Sequence, residues 1–495
     1  MNATFMMAST NQSFNNSTDG AAAGITSLPE RGQDLNHNNK EENSRLDGKI
    51  ELTESAAYDK LGYSFPIWYK WMILSVMFSI QISMNLNASL YANGVSEIAK
   101  EHNVSEQVAR IPQLTFLCAY AFGCLVWAPW SEELGRWPTQ QLSLFLVNIW
   151  QFPCAFAPNF ATYVVVRLLG GVSTAGGSVT LGVIADMWEP DDQEYAVAFL
   201  VLSSVGGSVV GAVVGGFVEA RQPLRWIFWV QLIAGGAVQI IHFILVPETR
   251  ATILLDREAK KRRKAGPGEV NIWGPHELHG FSLSIRDILV VWKRPFVMLL
   301  TEPIVMWLSL MSGFSDSLIF TFLQGFQPIF KQWGFGTIQI SLAFIPGGED
   351  MALNLFLQKH GCGGYFMYSI YQSSIDYTIA AYGEYAASAT AGNDFARDFL
   401  AGIAAMYSTP MFENIGNRFP YEYASTILAC ISVLVTTPIY LFYRNGPAIR
   451  ARSPFAKKMM EHTRQRRLSQ MPHAEKTGGQ NTHLEDARSE VESTH

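Results

Sequence analysis

Residues 206–217 read GGSVVGAVVGGF, a stretch of almost only glycine and valine in one of the most apolar parts of the chain. Glycine inside a helix costs about 0.5–1 kcal/mol relative to alanine. Gly207, Gly211 and Gly215 are spaced at i, i+4 and i+8, so they share one helical face. In lipid, small residues let helices pack closely where the hydrophobic effect contributes little. The stretch therefore predicts a membrane helix whose glycine face lies against another helix.

The composition agrees with a membrane protein. Of the 495 residues, 48% are hydrophobic and 16% are charged. The apolar residues form blocks of about 20, the length of a helix that crosses a bilayer. These blocks lie near residues 70–92, 108–130, 138–157, 160–183, 195–219, 225–246, 297–322, 364–383, 388–411 and 422–443. We therefore predict an all-α, polytopic membrane protein with two helical bundles, six spans followed by about four.

The polar segments divide the chain into domains. No cleavable signal peptide is visible at the start, so the first span is expected to direct insertion. The thinly spread net charge of -6 gives no footprint for nucleic acid, and we expect none to bind. The predicted domains are a disordered cytoplasmic tail over 1–66, a six-helix bundle over 67–246, a cytoplasmic linker over 247–295, a second bundle over 296–443 and a disordered cytoplasmic tail over 444–495.

The positive-inside rule sets the orientation. The basic run REAKKRRK at 257–264 places the linker in the cytoplasm, and six preceding spans return the amino terminus to the same side. Basic residues after the last span place the carboxyl terminus there too, so the second bundle needs an even number of spans. Residues 337–357 are not counted as a span, because Glu349 and Asp350 at bilayer depth would cost about 2.5–3.5 kcal/mol each.

Several other site types find no support in the sequence. The five cysteines have no CxxC spacing, so a disulfide framework or a metal site is not expected. No span carries paired histidines or a Ser/Asp dyad, so an enzyme is not expected. The chain has no G-x-x-x-x-G-K-[ST] motif, which argues against ATP as a cofactor or energy source.

Three motifs resemble those of the major facilitator superfamily. Residues 207–216 resemble its antiporter motif G-x-x-x-G-P-x-x-G-G, which ends here at Gly216 and has Ala212 at the proline position. The loop APWSEELGRWP is similar to G-x-L-x-D-R-x-G-R-R, with Glu132 at the Asp position and Arg136 kept. VVVRLLGG in the fourth span resembles an R-x-x-x-G element that begins at Arg167. The three occur in the expected spans and order.

Longer runs resemble the fungal branch of twelve-span drug:proton antiporters within this superfamily. They include LSSVGGSVVGAVVGGFVEA, LLTEPIVMWLSLMSGFSDSLIFTF and NDFARDFLAGIAAMYSTPMF. The resemblance covers about residues 66–345 and 370–445 and fails between them. The family norm is six plus six spans, so the second bundle is predicted to be shortened near 346–370 by two helices.

The resemblance implies export of an amphipathic organic molecule in exchange for protons, with the proton gradient as energy source and no cofactor. Arg167 in the fourth span, Asp316 in the seventh and Asp376 in the shortened tenth are candidates for proton coupling or substrate binding. Glu302 is a weaker candidate, since it lies near the cytoplasmic end of its span and is expected to reach the interface. The alternatives are a helix-pairing arginine and water-facing carboxylates.

The resemblance also implies a cytoplasmic gating network. Glu132, Arg136 and Asp186 are expected to cluster at the cytoplasmic ends of helices two and four, with a solvated loop as the alternative. Arg397 and Asp398, expected to open the eleventh helix, are their candidate counterparts in the second bundle. Paired charges at such a position bias the equilibrium between inward-open and outward-open states.

Other singled-out residues have less specific expectations. Asn103 begins a sequon in the first outer loop and is a candidate for glycosylation. His242 in the sixth span is expected to be a packing residue. Aromatic side chains that could line a cavity, with packing as the alternative, are Trp127, Trp130, Trp150, Phe314, Phe320 and Tyr371.

Three functional hypotheses remain from the sequence. The first is a multi-pass cell-membrane exporter, a monomer whose partners are a small-molecule substrate, protons and the lipid bilayer, and whose cargo is a drug, toxin or secondary metabolite. The second is a polyamine exporter, which carboxylates lining the cavity would favour. The third is a non-transporting sensor or inactive remnant, which the shortened second bundle would favour.

Overall fold

A computed structural model describes residues 49–189, 192–265, 271–279, 285–344, 374–375, 377–378, 386–416 and 420–452. Almost all of this part is helical, which confirms the all-α prediction. Its two short strands, β1 (Ile50–Glu51) and β2 (Ile272–Trp273), pair in parallel, with Ile50 opposite Ile272.

The first helical group follows the six predicted spans. Its helices are α1 (Ile67–Glu101), the single turn α2 (Glu106–Ala109), α3 (Ile111–Leu134), α4 (Arg136–Ala155), α5 (Phe160–Thr174), α6 (Val179–Ala185), α7 (Glu194–Arg221) and α8 (Arg225–Leu245). A 3₁₀ turn over Ala175–Ser178 joins α5 to α6, so these two helices form the fourth span. Gly135 lies between α3 and α4 and has a φ of 102°. Most residues with a side chain would be strained in this backbone conformation, so glycine suits the position.

The linker and the second group follow along the chain. Their helices are α9 (Ala251–Ala265), α10 (Pro275–His279), α11 (Ile285–Thr301), α12 (Pro303–Lys331), α13 (Thr337–Leu342), α14 (Ala386–Asn414) and α15 (Pro420–Arg452). Predicted features near 346–370, the span over 364–383 apart from four residues, and Asp376 lie outside the described residues. The count of ten spans therefore stays a prediction.

Within the described part, six helical stretches are long and apolar enough to cross a membrane. They are Ile67–Glu101, Glu106–Trp127, Phe160–Ala185, Tyr195–Arg221, Arg225–Leu245 and Pro303–Lys331. The seventh predicted span, 297–322, differs from the structure: the chain breaks at Glu302, where Pro303 starts α12. Pro303 has no backbone N–H to donate, and the first turn of a helix tolerates this loss.

The structure corrects the inner boundaries of the two predicted disordered tails, whose remainders, 1–48 and 453–495, lie outside the described residues. Residues 49–66 form β1 and two 3₁₀ segments, because Leu52 and Leu61 are buried against Leu255 of α9. At the other end, α15 continues past residue 444 to Arg452. The linker is likewise folded into helices and β2, so the polar composition of these segments did not exclude order.

The glycine face of α7 packs on α1. A Cβ atom added at Gly207 would come within 2.9 Å of the Ile82 carbonyl oxygen, and one at Gly211 within 3.2 Å of the Leu86 carbonyl oxygen. A Cβ at Gly215 would lie 3.2 Å from the Asn93 Cβ. The two helices therefore approach at backbone distance along the i, i+4, i+8 face that the sequence predicts.

Hydrophobic contacts link the two helical groups. Phe116 of α3 is fully buried in a cluster with Phe320 of α12 and with Ala401 and Ala404 of α14. Phe122 of α3 also packs edge-on against Phe395 of α14, with ring centres 5.1 Å apart. The faces of α3, α12 and α14 thus form the contact between the two groups, which we call the central interface.

We predict that Gly207→Ala destabilises the protein and Gly206→Ala does not. The new methyl group at 207 meets backbone of α1, and overpacking of this kind costs about 1–3 kcal/mol. The matched control at 206 has only the end of the Ile82 side chain, at 3.5 Å. Thermal unfolding in detergent measures both variants. Equal melting temperatures for the two would contradict the close approach of α1 and α7.

Candidate functional site

Arg167 of α5 is buried inside the first helical group, with 3% of its surface exposed. Its Nη1 donates to Asn87 Oδ1 at 2.9 Å, and both Nη atoms lie 3.2 Å from the Asn87 carbonyl oxygen. Its guanidinium carbon lies 4.0 Å from the centre of the Phe116 ring and 4.8 Å from that of Tyr91. Gly171, one turn further along α5, lets α3 come close enough to bring Phe116 over the guanidinium.

Among the described residues, all groups in contact with the Arg167 guanidinium are neutral. Its polar partner is Asn87, whose Oδ1 also accepts from Gln151 Nε2 at 3.4 Å. Arg167 Nε and Asn87 Nδ2 are buried and have no hydrogen-bond partner there. A buried donor left unpaired costs about 1–3 kcal/mol. The sequence analysis found Arg167 but missed Asn87 and Tyr91, although the polar run in α1 (QISMNLNAS, 81–89) was a usable signal.

A charge network lies at the linker end of the first group. Arg136 Nε donates to Asp186 Oδ2 at 2.8 Å, and both side chains are buried. Arg250 Nη1 lies 3.5 Å from the other oxygen of Asp186. Arg136 Nη1 donates to Ser131 Oγ at 2.6 Å, and Gly182 leaves the space that the guanidinium fills. Arg136 and Asp186 thus come together as the resemblance implied.

Glu248, which the sequence analysis missed, is the second carboxylate of this network. It is 5% exposed and accepts from the backbone N–H of Arg136 at 2.9 Å and of Trp137 at 3.3 Å. It also caps the turn that leads into α9, through the N–H groups of Thr249 and Arg250. A carboxylate directly after the sixth span, in VPETR, was the available signal.

Glu132 does not join the network among the described residues. Its side chain is exposed and makes no ion pair there, whereas Arg136 pairs with Asp186. Its neighbour Glu133 instead lies 3.7 Å from His276 of α10. The prediction for Glu132 is corrected in this respect: its side chain is solvated, as the alternative had it, but the residue lies in the last turn of α3 and not in a loop.

Charged residues of the second group meet in the interior of α14. Arg397 lies 3.4 Å from Asp398 and 3.8 Å from Asp394, and both carboxylates are buried. Asp316 of α12 lies within electrostatic range of Arg397, Asp394 and Asp398. The sequence analysis missed Asp394. Within the described residues the cluster holds three carboxylates and one guanidinium, and we call it the acidic cluster.

The position of the acidic cluster corrects one prediction. Arg397 and Asp398 do not open their helix, since α14 already begins at Ala386. The cluster lies instead beside Tyr120 and Cys124 of α3, at the central interface. The predicted apolar block over 388–411 begins within two residues of the start of α14, so the error lay in placing this charged pair at the start of the helix.

Glu302 also differs from its expectation. It was expected to reach the membrane interface, but its surface is 0% exposed at the break between α11 and α12. The side chain is therefore enclosed by protein at this point. Asp376, the remaining candidate, lies outside the described residues.

Polar side chains join the two groups at the end opposite the linker. Arg110, 6% exposed at the start of α3, donates through Nε to Gln324 Oε1 of α12 at 3.0 Å. Gln324 Nε2 donates in turn to Gln113 Oε1 at 2.8 Å, and Gln107 Nε2 donates to the Met406 carbonyl oxygen at 2.7 Å. We call these contacts the outer lock. Gly216 lies at the same end against Ser341 of α13, so it faces the second group, unlike the other motif glycines.

The linker contains an ion pair between Arg263 and Glu277, beside the charge network. Arg263 of α9 makes two hydrogen bonds to Glu277 of α10, at 2.7 and 2.8 Å. These bonds lower the pKa of Glu277, whereas burial raises the pKa of Asp256, which lies 3.3 Å from His276. Tyr63 Oη donates to the Ala185 carbonyl oxygen at 3.1 Å, next to Asp186. These contacts place residues 49–66 and the linker next to the charge network.

The remaining predicted residues take mainly packing positions. Trp127 Nε1 donates to the Val172 carbonyl oxygen and Trp150 Nε1 to Ser173 Oγ, while Trp130 packs edge-on against Trp127. Phe320 lies in the central interface and Phe314 in the second group, and Tyr371 lies outside the described residues. His242 Nδ1 lies 2.5 Å from Gln141 Nε2 of α4.

Asn103 is exposed in the turn between α1 and α2, with φ of 52°. The hydroxyl of Ser105, the third residue of the sequon, caps α2 through the Val108 N–H at 3.3 Å. The described residues contain no cluster of three or more His, Cys, Asp or Glu placed to hold a metal ion.

These features define a class of protein: two groups of membrane helices that meet at an interface with buried charges, as in secondary transporters. The profile of the Major Facilitator Superfamily matches residues 74–348, more than half of the chain. The chain therefore belongs to the major facilitator superfamily and is a multi-pass membrane transporter of that family.

Curated relatives are fungal transporters. The chain is 27% identical to the MFS-type transporter acdC of Aspergillus candidus, over 79% of this chain and 87% of that protein. It is 28% identical to the efflux pump bik6 of Gibberella fujikuroi, over 75% and 87%. Among solved structures, the proton:xylose symporter XylE matches with a TM-score of 0.54 and 14% identity, over 76% of this chain and 96% of XylE. This last likeness shows the fold.

The alignment with acdC also bears on the predicted shortening. It runs over 452 positions but uses 79% of the 495 residues here, about 391. The difference, 452 less 391, leaves about 61 positions without a counterpart in this chain. This number is of the size that two membrane helices with their loops need, although the positions are counted over the whole alignment.

We predict that Asp186→Asn destabilises the protein and Glu132→Gln does not. Without the Asp186 charge, the buried Arg136 guanidinium loses its ion pair, and breaking a buried pair costs about 3–5 kcal/mol. The exposed Glu132 makes no ion pair among the described residues, so its variant should stay within about 0.5 kcal/mol of the parent. Thermal unfolding in detergent measures both. A larger loss for Glu132→Gln would refute the network as described.

We predict that Gln324→Ala opens the outer end, since it removes the hydrogen bonds from Arg110 and to Gln113. Cys118, partly exposed in α3 and next to Gly402 of α14, reports on the central interface. In a variant that keeps Cys118 as its only cysteine, an impermeant maleimide added outside should react about 5–10 times faster after Gln324→Ala.

The matched control for the outer lock is Gln332→Ala. Gln332 is exposed at the end of the same helix, so its variant should leave the labelling rate unchanged. Equal rates for the two variants would show that the outer lock does not hold the groups together.

Proposed function

We propose that this protein exports a small amphipathic organic molecule, a drug, toxin or secondary metabolite, in exchange for protons, and that it does so as a monomer in the cell membrane. Export is suggested by relatives described as an efflux pump and as fungal MFS-type transporters. The observation that carries the proposal is the pair of buried charged sites beside the central interface: Arg167 on one side and the acidic cluster on the other.

Alternating access would use the two ends of the molecule differently. At the outer end, the outer lock spans both helical groups through three hydrogen bonds. At the linker end, the network of Arg136, Asp186 and Glu248 lies within the first group. A small set of breakable contacts between the groups favours rocking of each group as a body.

The acidic cluster is the candidate site for proton coupling. Asp316 comes from α12, whereas Asp394 and Asp398 come from α14, and Arg397 lies within electrostatic range of all three carboxylates. Like charges away from water favour the binding of a proton or a cation. A proton taken up here would change the charge at the central interface, and with it the balance between the two states.

The same cluster favours a second candidate function, polyamine export. Carboxylates beside the central interface are the feature expected of a site for an organic amine, and three of them belong to the cluster. The third candidate, a non-transporting sensor or remnant, is supported by the roughly 61 positions that this chain lacks against acdC.

Proteoliposomes with an acidic lumen test these candidates. We predict that an added substrate accumulates inside and releases lumenal protons, and that an uncoupler abolishes both effects. Rhodamine 6G represents amphipathic drugs and spermine represents polyamines. Asp398→Asn should lower proton-linked uptake about tenfold or more, because it removes a titratable group from the cluster. Glu132→Gln, at an exposed position, serves as the control.

The outcomes separate the three functions. Uptake of rhodamine 6G supports drug export, and uptake of spermine alone supports polyamine export. Uptake without proton release would remove proton coupling from the proposal. No gradient-dependent flux of any compound, in protein that unfolds cooperatively, would favour the non-transporting role.

A further inference from the structure

We propose that Arg167 and Asn87 form a binding site for the carboxylate of a small organic acid, so that the transported molecule carries a negative charge at this point. This proposal rests on the proposed function in one respect: the substrate is taken to reach the site from the central interface. The substrate class is then an organic acid and not a polyamine.

The unused hydrogen-bond donors point to an anion. Arg167 has a positively charged guanidinium group, is 3% exposed and has no carboxylate partner among the described residues. Its Nε and the neighbouring Asn87 Nδ2 are both buried N–H groups without a partner. Asn87 Oδ1 already accepts hydrogen bonds from Arg167 and Gln151, so the side-chain group of Asn87 that can still bind a ligand is the amide nitrogen, Nδ2. A carboxylate offers two oxygens that can accept from such donors.

The aromatic rings around Arg167 supply the rest of the site. Phe116 and Tyr91 lie over the guanidinium, at 4.0 and 4.8 Å from its carbon. Tyr91 is fixed by its own hydrogen bond to the Ala109 carbonyl oxygen at 3.0 Å. Apolar aromatic walls with a few polar groups are typical of small-molecule sites, and they suit an acid with an aromatic or apolar body.

Phe116 separates Arg167 from the central interface. Its ring contacts the guanidinium and also packs with Phe320, Ala401 and Ala404 of the second group. When the two groups separate, these three residues leave and the ring gains room to turn. Arg167 then lies one side chain away from the space between the groups.

A buried water molecule is the competing explanation for the unused donors. Gln151 Oε1 is a buried acceptor without a partner, so a water could join it to Arg167 Nε. Such a water would satisfy the donors without any preference for a charged ligand. The test must therefore compare a charged ligand with a neutral one of the same shape.

Benzoate and benzamide make this comparison. Binding of each is measured by titration calorimetry on the full-length protein in lipid nanodiscs at neutral pH, without a gradient. We expect benzoate to bind about tenfold or more tightly than benzamide, because charge-assisted hydrogen bonds form only with the carboxylate. Asn87→Asp supplies a carboxylate of the same shape beside Arg167, so it should abolish the preference for benzoate.

Arg167→Gln provides a second variant and should lose the preference as well. Equal affinity of benzoate and benzamide for the unchanged protein would overturn the proposal, as would a preference that survives in Asn87→Asp. Because these measurements involve no flux, a protein that binds benzoate but does not transport would refute the proposed function and keep the anion site. Transport of rhodamine 6G without benzoate binding would refute the anion site and leave the proposed function in place.

Discussion

The close approach of α1 and α7 over glycine is the contact on which the rest of the first group depends. Gly211 meets α1 at Leu86 and Ser89, the residues that flank Asn87, so this contact fixes the place of Asn87. Asn87 in turn holds the guanidinium of Arg167. On a neighbouring face of α7, Gly216 meets Ser341 of the second group. One apolar stretch therefore positions both a buried charge and part of the contact between the two groups.

The buried charges of this protein fall into two kinds. Arg136 and Asp186 satisfy each other, and Glu248 completes their surroundings, so this network stabilises the folded state. Arg167 and the acidic cluster are different, since the first lacks a counter-ion among the described residues and the second brings several carboxylates together at the central interface. Buried charge in a membrane protein is expensive and is usually kept for function.

Much of this arrangement could be read from the sequence, for identifiable reasons. The apolar blocks predicted the positions of the helices in the first group, and the glycine spacing predicted the face of α7, because both depend on local sequence pattern. Glu248 and Asn87 were missed because a single polar residue has no such signal until its partners are known. Order in residues 49–66 depends on contacts with α9, about 200 residues away in the sequence, which polar composition hides. The role of Glu132 failed for a similar reason, since one residue of helix phase decides which way it faces.

The central claim is that the two helical groups rock about the central interface, and spin-label distances test it most directly. One label pair, at Lys100 and Glu413, spans the outer end, and another, at Glu132 and Lys293, spans the linker end; all four positions are exposed. The account predicts two distance populations at each end, which shift in opposite directions when the pH is lowered in nanodiscs. A single population that does not change at either end would contradict it.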